Sequence, residues 1–430
     1  MIYAEAIQFL YGLQMFGARP GLERTFQLAA LVGNPQEQLR FIHVAGTNGK
    51  GSTCAMLESI YRAAGLRVGL FTSPHLVSFR ERIQVNREFI PANEVARLAT
   101  EFQALVEKFP SDQHPTMFEV VTVLALRYFA AQKCDLVIWE TGLGGRLDAT
   151  NIVTPLASVI TNIGLDHQQW LGNTLPEIAA EKAGIIKPDV PVITAAEQPA
   201  VLRVIEHTAR QQKSPFKSVP IRTALPITLS LRGAHQHRNA ALALAVVEVL
   251  QAQVPVTTKS VEAGLGSVHW PGRLQVVNRG QQTILLDGAH NPEGVAVLLA
   301  SLRTDFSHHK PTLILGILAD KDWHSMARQL AAAGNRILTV PVASSRTVAA
   351  DELAQVCRQA LPPATEACSS LADALEKSAA APFVVITGSL YLVGEALELL
   401  RCGPTETLGE RALNEWTATK NENDKDRDYR

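Results

Sequence analysis

The sequence predicts an α/β protein of two domains, each with a mainly parallel sheet covered by helices. Short apolar segments alternate with helical segments over most of the 430 residues, which is typical of parallel sheets buried on both faces. The alternation breaks at Pro271-Gly272 and then resumes. We therefore expect a larger N-terminal domain over residues 1–272 and a smaller, Rossmann-like C-terminal domain over residues 273–410. The polar and charged segment 411–430 is predicted to be disordered.

Composition and charge argue against several broad classes of protein. With a net charge of -1, the chain has no bulk charge that would favour nucleic acid or an anionic membrane as a partner. No apolar run reaches the ~18 residues of a bilayer-spanning helix, and the acidic N-terminus does not resemble a signal peptide. The five cysteines are widely spaced without a C-x-x-C pair, which favours reduced thiols over disulfides or zinc ligands. These features predict a soluble cytoplasmic protein.

Hydrophobic periodicity and helix-breaking residues predict the elements in order. In the N-terminal domain, helices are predicted at residues 3–16, 22–31, 53–64, 91–109, 117–132, 174–184, 200–211 and 240–250, and strands at residues 41–45, 67–71, 82–85, 136–140, 156–160, 190–193 and 227–231. In the C-terminal domain, strands are predicted at residues 283–286, 312–315, 336–340 and 383–386, and helices after residue 291, at 323–332, from 350, at 371–379 and at 388–401.

A glycine-rich segment, Gly46-Thr-Asn-Gly-Lys-Gly-Ser52, follows the first predicted strand and precedes a helix. This order directs backbone N–H groups and the positive end of the helix at one point, which suits a phosphate group. Lys50 would add a positive charge, and the Ser52 hydroxyl could bind Mg²⁺. The spacing departs from the common G-x-x-x-x-G-K-[ST] pattern, because only two residues separate Gly46 from Gly49.

Polar residues follow several predicted strands at the edge where ligands of open α/β sheets bind. The segment 72–76 is either a substrate loop or a plain proline-containing turn. Glu140 ends a buried strand, where a metal-binding acid is expected, although it could simply cap a loop. His167 also follows a strand, and a lone histidine there is more often structural unless it lies beside Glu140.

Other polar residues have ordinary structural explanations when the residues are considered alone. Lys182 lies near the end of a predicted helix, where a solvated cation is favoured. Asn239 is a polar residue near the start of an apolar helix. In the turn after Asp287, Asn291 is expected to be an N-cap, with Pro292 at the first helical position.

Several segments in order nevertheless resemble folylpolyglutamate synthases and dihydrofolate synthases, which are relatives of the Mur ligases. The resemblance covers residues 1–402, and the unusual spacing of the phosphate loop is the form found in that superfamily. The matching segments are Gly46-Thr-Asn-Gly-Lys-Gly-Ser52, Thr72-Ser-Pro-His75, Glu140-Thr-Gly-Leu-Gly-Gly-Arg-Leu-Asp-Ala-Thr-Asn151, Leu165-Asp-His167, Glu181-Lys-Ala-Gly-Ile185, Pro271-Gly-Arg273, Asp287-Gly-Ala-His-Asn-Pro292, Asp320-Lys-Asp322 and Thr387-Gly-Ser389.

The resemblance implies a Mur ligase-like fold, with an N-terminal P-loop-type ATPase domain and a smaller C-terminal glutamate-ligase domain. It also implies an ATP-dependent amide ligase that joins L-glutamate to a pteroyl compound. In that reaction the substrate carboxylate takes the γ-phosphoryl group of ATP, and the glutamate amine then displaces phosphate from the acyl phosphate. Because an acyl phosphate hydrolyses in water, two domains that close over it would protect it.

The same resemblance implies roles for individual residues. The residues implied to bind ATP are Gly46, Thr47, Asn48, Gly49, Lys50, Gly51, Ser52, Asn239, Arg273 and Asp287. The metal ligands implied are Ser52, Ser73, Glu140 and His167, with Mg²⁺ as the metal and Mn²⁺ also admitted by the histidine nitrogen. The residues implied to bind folate or pteroate are Ser73, Pro74, His75, Arg146 and Asp148. The residues implied to bind glutamate are Asp287, His290 and Ser389.

The catalytic residues implied by the resemblance are Lys50, Lys182 and His290. In the family the lysine that matches Lys182 is carbamylated by CO₂. A carbamate replaces an ammonium with an oxygen-bearing anion, which a hard dication prefers. We therefore expect Lys182 to carry this modification.

The loop 145–151 resembles that of bifunctional bacterial enzymes, which glutamylate both dihydropteroate and reduced folates. The alternatives are a monofunctional folylpolyglutamate synthase, a Mur-type ligase of a nucleotide-linked peptidoglycan precursor, or a catalytically silent nucleotide-binding protein. The expected partners are small molecules, namely ATP, L-glutamate, dihydropteroate and reduced folates, with no nucleic acid or membrane partner. A monomer is expected. The sequence leaves open the preferred folate, the polyglutamate length and a requirement for a monovalent cation such as K⁺.

Overall fold

Segments rich in valine, isoleucine and leucine form two sheets in the computed structural model, which describes residues 1–16, 21–110, 112–220, 227–307, 310–360, 364–403 and 410–414. The strands are β1 (Phe41–Ala45), β2 (Val68–Phe71), β3 (Ile83–Val85), β4 (Glu88–Phe89), β5 (Leu136–Glu140), β6 (Ala157–Ile160), β7 (Val192–Thr194), β8 (Phe216–Ser218), β9 (Gln275–Arg279), β10 (Gln282–Asp287), β11 (Thr312–Leu315), β12 (Arg336–Thr339), β13 (Ala364–Ala367) and β14 (Phe383–Thr387).

Helices cover both sheets. They are α1 (Tyr3–Gly12), α2 (Glu23–Leu31), α3 (Lys50–Ala63), α4 (Ala92–Val106), α5 (Met117–Ala131), α6 (Gln168–Leu171), α7 (Leu175–Ala183), α8 (Pro199–Gln211), α9 (Ala234–Leu250), α10 (Thr258–Gly266), α11 (Pro292–Asp305), α12 (Trp323–Ala331), α13 (Ala350–Gln359), α14 (Leu371–Lys377) and α15 (Leu390–Leu399). Short 3₁₀ helices lie at Leu13–Phe16, Pro35–Gln38, Phe79–Arg82, Ala149–Ile152 and Glu410–Asn414.

The first sheet has eight strands in the order β4-β3-β2-β5-β1-β6-β7-β8. Its strands are parallel except for β3 and β4, which add to one edge in antiparallel pairs. β1 lies in the middle, between β5 and β6. All five residues of β1 and of β5 are buried, because helices cover both faces.

The second sheet has six strands in the order β13-β12-β11-β14-β10-β9. Its strands are parallel except for β9, which pairs antiparallel with β10. The two mainly parallel sheets confirm the predicted fold class. The strands change from the first sheet to the second between Gly266, where α10 ends, and Gln275, where β9 begins, while the domain limits 1–272 and 273–410 stay a prediction.

The first sheet separates two hydrophobic clusters, because successive side chains of a strand point to opposite faces. Phe41 packs with helices α1, α2, α4 and α5. The next residue, Ile42, packs with α3, α9 and α10 on the other face. On the first face, Trp139 stacks on Phe71 with ring centroids 4.4 Å apart and meets Phe41 edge-on at 5.6 Å. The N-terminal helices therefore form one cover of the phosphate-loop sheet.

Two sequence expectations differ from the structure. Residues 227–231, expected as a strand, form no strand. The apolar residues Ile227, Leu229 and Leu231 alternate with other residues because one side of this irregular segment packs against a hydrophobic cluster of helices. In the segment 411–430, expected to be disordered, residues 411–414 belong to the 3₁₀ helix Glu410–Asn414, whose Leu413 is fully buried. Burial of this one side chain and the hydrogen bonds that Glu410 accepts stabilise residues within a segment that is polar on average. Residues 415–430 lie outside the described part of the chain.

Among the helices in the described residues, none is long and apolar enough to cross a membrane.

We predict that Ile138→Ala in β5 destabilises the protein by about 2–5 kcal/mol, because Ile138 is fully buried between β1 and β2 and the change leaves a cavity. Denaturant unfolding of the two proteins measures this difference. Leu31→Ala is the control, since Leu31 is 46% exposed and should shift stability by less than about 0.5 kcal/mol. Equal losses in both variants would contradict the assignment of β5 to the core.

Candidate functional site

A cleft of about 1060 Å³ lies where the phosphate loop of the first sheet meets turns of the second. Every residue that the sequence analysis placed in the site lines this cleft, except His75. The cleft is bounded by the loop after β1, the end of β5, helix α7 and the turns after β10 and β14. Distant parts of the sequence therefore converge on one place.

The phosphate loop has the backbone geometry that the glycines predict. Gly46 and Gly49 have φ angles of 147° and 85°, which side chains disfavour. A Cβ at Gly46 would lie 1.8 Å from Thr161 Oγ1, so a larger residue does not fit there. Gly49 is the N-cap of α3, and Lys50 is its first residue. The N–H groups of Thr47 and Asn48 donate to Asn162, so the loop presents to the cleft the N-terminus of α3, whose first N–H groups have no partner within the helix.

Two lysines meet at the carbonyl of Gly46. Lys50 Nζ donates to the carbonyl oxygens of Gly46 and Thr47 at 3.1 and 3.3 Å, and Lys182 Nζ donates to Gly46 O at 2.9 Å. Burial, with Lys50 nearby, lowers the pKa of Lys182 to about 7. A large fraction of Lys182 is therefore a neutral amine near neutral pH, which is the form that reacts with electrophiles.

Glu140 lies at the bottom of the cleft. One of its oxygens accepts a hydrogen bond from Ser73 N at 3.1 Å. Burial raises its pKa to about 7, against the opposing effect of Lys50. Gln236 Nε2 donates to Ser52 Oγ at 3.4 Å. Glu140, Ser52 and Ser73 all line the cleft, and their shared role as metal ligands stays a prediction.

Within the residues that the structure describes, no three histidine, cysteine, aspartate or glutamate side chains form a complete metal cage. Mg²⁺ commonly takes one or two carboxylates and fills its other positions with water and substrate phosphate. A buried carboxylate with a raised pKa beside a phosphate loop fits that mode, because a cation would stabilise its charged form. The donor set is therefore compatible with Mg²⁺ bound together with a nucleotide.

His167 is the N-cap of α6 with a φ of 53°, and it lies next to Asp166, which is partly buried. Burial, with Lys321 nearby, lowers the pKa of His167 to about 3, so its imidazole is neutral and able to ligate a metal. Asp166 accepts a hydrogen bond from Lys321 Nζ at 2.6 Å. Although burial opposes it, the charge of Lys321 holds the pKa of Asp166 well below its usual range.

Side-chain contacts join the phosphate-loop side of the cleft to the second sheet. Asn291 Nδ2 donates to Asn48 Oδ1 at 3.0 Å and to Asp166 Oδ2 at 3.3 Å. The ion pair of Lys321 with Asp166 crosses the same boundary. Asn291 is also the N-cap of α11, as predicted, because its Oδ1 accepts from Gly294 N. One residue therefore caps a helix and contacts the phosphate loop.

The turn after β10 holds two predicted ligand residues. Asp287 accepts hydrogen bonds from Leu274 N and Ala289 N, both at 3.0 Å, and burial raises its pKa. His290 Nδ1 donates to Gly288 O at 2.8 Å, which leaves Nε2 as the acceptor atom. Burial, with Lys321 nearby, lowers the pKa of His290 to about 4. His290 is therefore a neutral proton acceptor at neutral pH.

Three other predicted residues line the cleft with defined local contacts. Ser389 is the N-cap of α15 and accepts from Tyr391 N. Arg273 Nη1 donates to Gly272 O at 3.3 Å, within the segment between the two sheets. Asn239 lies against the phosphate loop, since a Cβ at Gly49 would be 2.5 Å from its Oδ1. Their contacts with a nucleotide or amino acid stay predictions.

Four of the five predicted folate residues line the cleft. Asp148 is buried and accepts hydrogen bonds from Leu143 N and from the backbone and hydroxyl of Thr150. Arg146 forms an ion pair with Glu181 at 2.8 Å. Ser73 and Pro74 form the wall beside Glu140.

The structure does not place His75 at the cleft. Its Nε2 donates to Glu410 O at 2.9 Å, and its Nδ1 accepts from Arg82 Nε at 2.9 Å. Both ring nitrogens are thus used by buried protein groups, and the expectation that His75 binds folate is corrected. His75 instead contacts the C-terminal segment Glu410–Asn414.

The sequence analysis missed several residues of the site. Asp166 and Lys321 lie within matched motifs but received no role, because their ion pair joins residues 155 positions apart. Gln236 contacts Ser52 from α9 and has no recognisable motif around it. Arg82 lines the cleft from the 3₁₀ helix Phe79–Arg82. Their position within the matched segments Leu165-Asp-His167 and Asp320-Lys-Asp322 was the available signal for Asp166 and Lys321.

Comparison with known proteins identifies the family. The Mur ligase middle domain matches residues 44–213, and the Mur ligase glutamate ligase domain matches residues 272–390. The dihydrofolate synthase/folylpolyglutamate synthase of Bacillus subtilis (strain 168) is 38% identical over 427 residues, covering 93% of this chain and 99% of the relative. The chain belongs to the folylpolyglutamate synthase and dihydrofolate synthase family of Mur ligases.

Solved structures of this family have the same fold. Folylpolyglutamate synthase from Thermotoga maritima matches with a TM-score of 0.83 and 33% identity, covering 94% of this chain and 98% of that one. E. coli FolC in complex with DHPP and ADP matches with a TM-score of 0.83 and 29% identity, at the same coverage of both chains. The Mur ligase-like fold predicted from the sequence is therefore confirmed.

In a ligase of this family, Lys50→Ala should lower ATP turnover by about 100-fold or more, because the side chain is a preorganised positive charge at the phosphate loop. Steady-state ADP release measures the effect. Lys259→Ala is the control, since Lys259 is exposed on α10, and both variants should retain the wild-type unfolding midpoint. A near-normal rate for Lys50→Ala would refute the role of Lys50 at the phosphates.

Proposed function

We propose that the protein adds L-glutamate to dihydropteroate and to tetrahydrofolate polyglutamates, with cleavage of ATP to ADP and phosphate. Family membership makes the chain an ATP-dependent folate–glutamate ligase. The observation that carries the assignment to this chain is the meeting of Lys50, Glu140, Lys182 and His290 in one cleft. That cleft has a phosphate-binding wall on one side and a neutral histidine on the other.

The chemistry follows from the weakness of a carboxylate as an acyl donor. The substrate carboxylate attacks the γ-phosphorus of ATP, the bond to the β-phosphate oxygen breaks, and an acyl phosphate and ADP result. Lys50 and the backbone N–H groups of the loop 46–52 stabilise the charge on the transferred phosphoryl group. The amine of glutamate then attacks the acyl carbon, and phosphate leaves.

The glutamate amine must lose a proton to form a neutral amide. His290 is suited to accept it, because its Nδ1–H is held by Gly288 O and its Nε2 lone pair is free of a proton. Asp166 Oδ2 lies 3.7 Å from that Nε2 and would stabilise the resulting imidazolium. We therefore assign general-base catalysis to His290, with Asp287 and Ser389 as further contacts for glutamate.

Ser52, Ser73, Glu140 and His167 would hold Mg²⁺, and the nitrogen of His167 would also admit Mn²⁺. In phosphoryl transfer a divalent cation neutralises the negative charge of the phosphate groups. The raised pKa of the buried Glu140 supports this role, because cation binding favours its ionised form.

We propose that Lys182 is carbamylated. Its neutral amine attacks the carbon of CO₂, a C–N bond forms, and a proton is released to solvent. Burial, with Lys50 nearby, lowers the Lys182 pKa to about 7 and so supplies the neutral amine that this reaction requires. The carbamate keeps one N–H, which can still donate to Gly46 O, and it places an anion beside Lys50.

Dual substrate use is the finer part of the proposal. The curated relative from B. subtilis is named for both activities, and the E. coli structure contains DHPP with ADP. The loop 145–151 lines the cleft here, with Asp148 buried and held by three hydrogen bonds. A monofunctional folylpolyglutamate synthase is the second candidate, because a relative from Lacticaseibacillus casei carries that name alone.

We also propose that the enzyme acts in the cytoplasm as a monomer on small molecules, with no nucleic acid or membrane partner. The free state of all five cysteines fits a reducing compartment.

The decisive experiment is glutamate-dependent ADP release with dihydropteroate and, separately, with tetrahydrofolate. We expect activity with both substrates and none when glutamate is omitted. Lys50→Ala serves as the impaired control. Activity with tetrahydrofolate alone would make the enzyme monofunctional, and no activity with either would overturn the assignment.

Carbamylation predicts a specific mass. Intact mass measured under mild, CO₂-replete conditions at about pH 8 should exceed the sequence mass by one CO₂, because most of Lys182 is neutral above its pKa of about 7. Acid should remove the increment. Lys182→Arg should show no increment and lower turnover. An unmodified ammonium at Lys182 in an active, metal-bound enzyme would refute the proposal.

A further inference from the structure

A short C-terminal segment, Glu410–Asn414, lies across three separate parts of the molecule. We call it the C-terminal strap. It contacts the N-terminal helix α1, the loop 73–82 and helix α15 of the second sheet. None of the motifs that relate this chain to its family includes the strap.

Glu410 fixes the start of the strap. It is fully buried, and its Oε2 accepts hydrogen bonds from Tyr3 Oη at 2.9 Å, Ser78 Oγ at 3.0 Å and Phe79 N at 2.5 Å. Its carbonyl oxygen accepts from His75 Nε2. A buried carboxylate with several donors is costly to remove from its partners, so this end of the strap is firmly held.

Asn414 fixes the other end through Arg82. Its Oδ1 accepts from Arg82 Nη2 at 2.5 Å, and its Nδ2 donates to His75 O at 2.9 Å. Arg82 Nε donates to His75 Nδ1. Among the described residues, no carboxylate lies within ion-pair distance of Arg82. Asn414 and His75 therefore hold a buried guanidinium that lines the cleft, and the carboxylates of Glu81 and Glu140 act on it only from beyond ion-pair distance.

The middle of the strap reaches the second sheet and the N-terminus. Arg411 Nη1 lies 2.7 Å from Glu398 Oε2 of α15. Ala412 O accepts from Gln14 Nε2 at 3.0 Å, and Leu413 packs fully buried in the cluster of the N-terminal helices. Consecutive residues thus contact both sides of the molecule.

The strap is also part of the cleft wall. Leu413, Asn414, Arg82 and Gln14 line the cleft next to Ser73 and Pro74. Ser73 N in turn donates to Glu140, the predicted metal ligand. The strap is therefore connected to the reacting end of the cleft through the loop that it holds.

We propose that the C-terminal strap positions the loop 73–82 and the Arg82 guanidinium, and so sets the affinity of the cleft for the pteroate or folate substrate. This inference rests on the proposed function. Asn414 is a positioning residue: it orients Arg82, whose charge attracts an anionic substrate bearing carboxylates. The ATP end of the cleft, at the phosphate loop and Asn239, has no contact with the strap among the described residues.

The test uses full-length Asn414→Ala. We expect KM for dihydropteroate or tetrahydrofolate to rise about 10- to 100-fold, while KM for ATP changes less than about twofold, since one charge-assisted hydrogen bond at the substrate end is lost. Asn414→Asp should not recover that loss, because its carboxylate would neutralise the Arg82 charge and could not donate to His75 O. Gln251→Ala is the matched control, because it removes an amide bonded twice to the backbone of Val256, away from the cleft.

Each outcome decides the inference. If the variant is active but KM for the folate substrate is unchanged, or both KM values rise together, the strap is only a structural contact and the inference fails. If wild-type protein shows no glutamate-dependent turnover with any pteroate compound, the proposed function fails and the inference with it.

If Asn414→Ala does not fold, hydrogen exchange of the unaltered chain replaces the kinetic comparison. Protection of residues 410–414 should rise when dihydropteroate is added to protein with an ATP analogue, and unchanged protection would overturn the inference.

Discussion

The position of β1 between β5 and β6 is the constraint on which the site depends. Because these three strands are parallel and adjacent, their carboxyl ends meet at one edge of the sheet. The phosphate loop follows β1, Glu140 ends β5, and Thr161 follows β6 against Gly46. A slip of one residue would exchange the side chains that pack in the two buried clusters on opposite faces of the sheet. The packing on both faces that fixes the register therefore also fixes the distance between the loop and its carboxylate.

The charged groups at this edge are less stable without ligands than with them. Burial moves Lys182 and Glu140 toward their neutral forms, to pKa values of about 7 in both cases. Moving an ion out of water costs free energy unless an opposite charge or hydrogen bonds replace the water. Phosphate and a divalent cation would supply those opposite charges. The site thus gains electrostatic stability when nucleotide and metal bind, which links substrate binding to order in the cleft.

Much of this arrangement could be predicted from the sequence, for reasons that particular residues show. The strand 136–140 is indicated by its run of apolar residues, and the loop 46–52 is indicated by the spacing of its glycines. Both lie where predicted. Contacts between distant residues carry no such signal: the Asp166–Lys321 ion pair, the Gln236–Ser52 contact and the use of His75 by Glu410 depend on tertiary packing. The irregular segment 227–231 shows that alternating apolar residues indicate burial of one side of a segment. They do not by themselves show that the segment pairs with another strand.

Contacts between the two halves of the cleft include polar side-chain pairs as well as the apolar packing of Leu76 and Val77 on the second sheet, and the polar pairs have a consequence for the reaction. Asn48 and Asn291, Asp166 and Lys321, and Arg411 and Glu398 meet through side chains. Polar contacts such as that of Asn48 with Asn291 exchange with water at small net cost, so a separation of the halves near the phosphate loop would admit substrates. An acyl phosphate needs the opposite condition, a cleft closed to water. Polar side chains pair with each other when the cleft is closed and are readily hydrated when the cleft is open. Such pairs therefore suit both the entry of substrates and the exclusion of water.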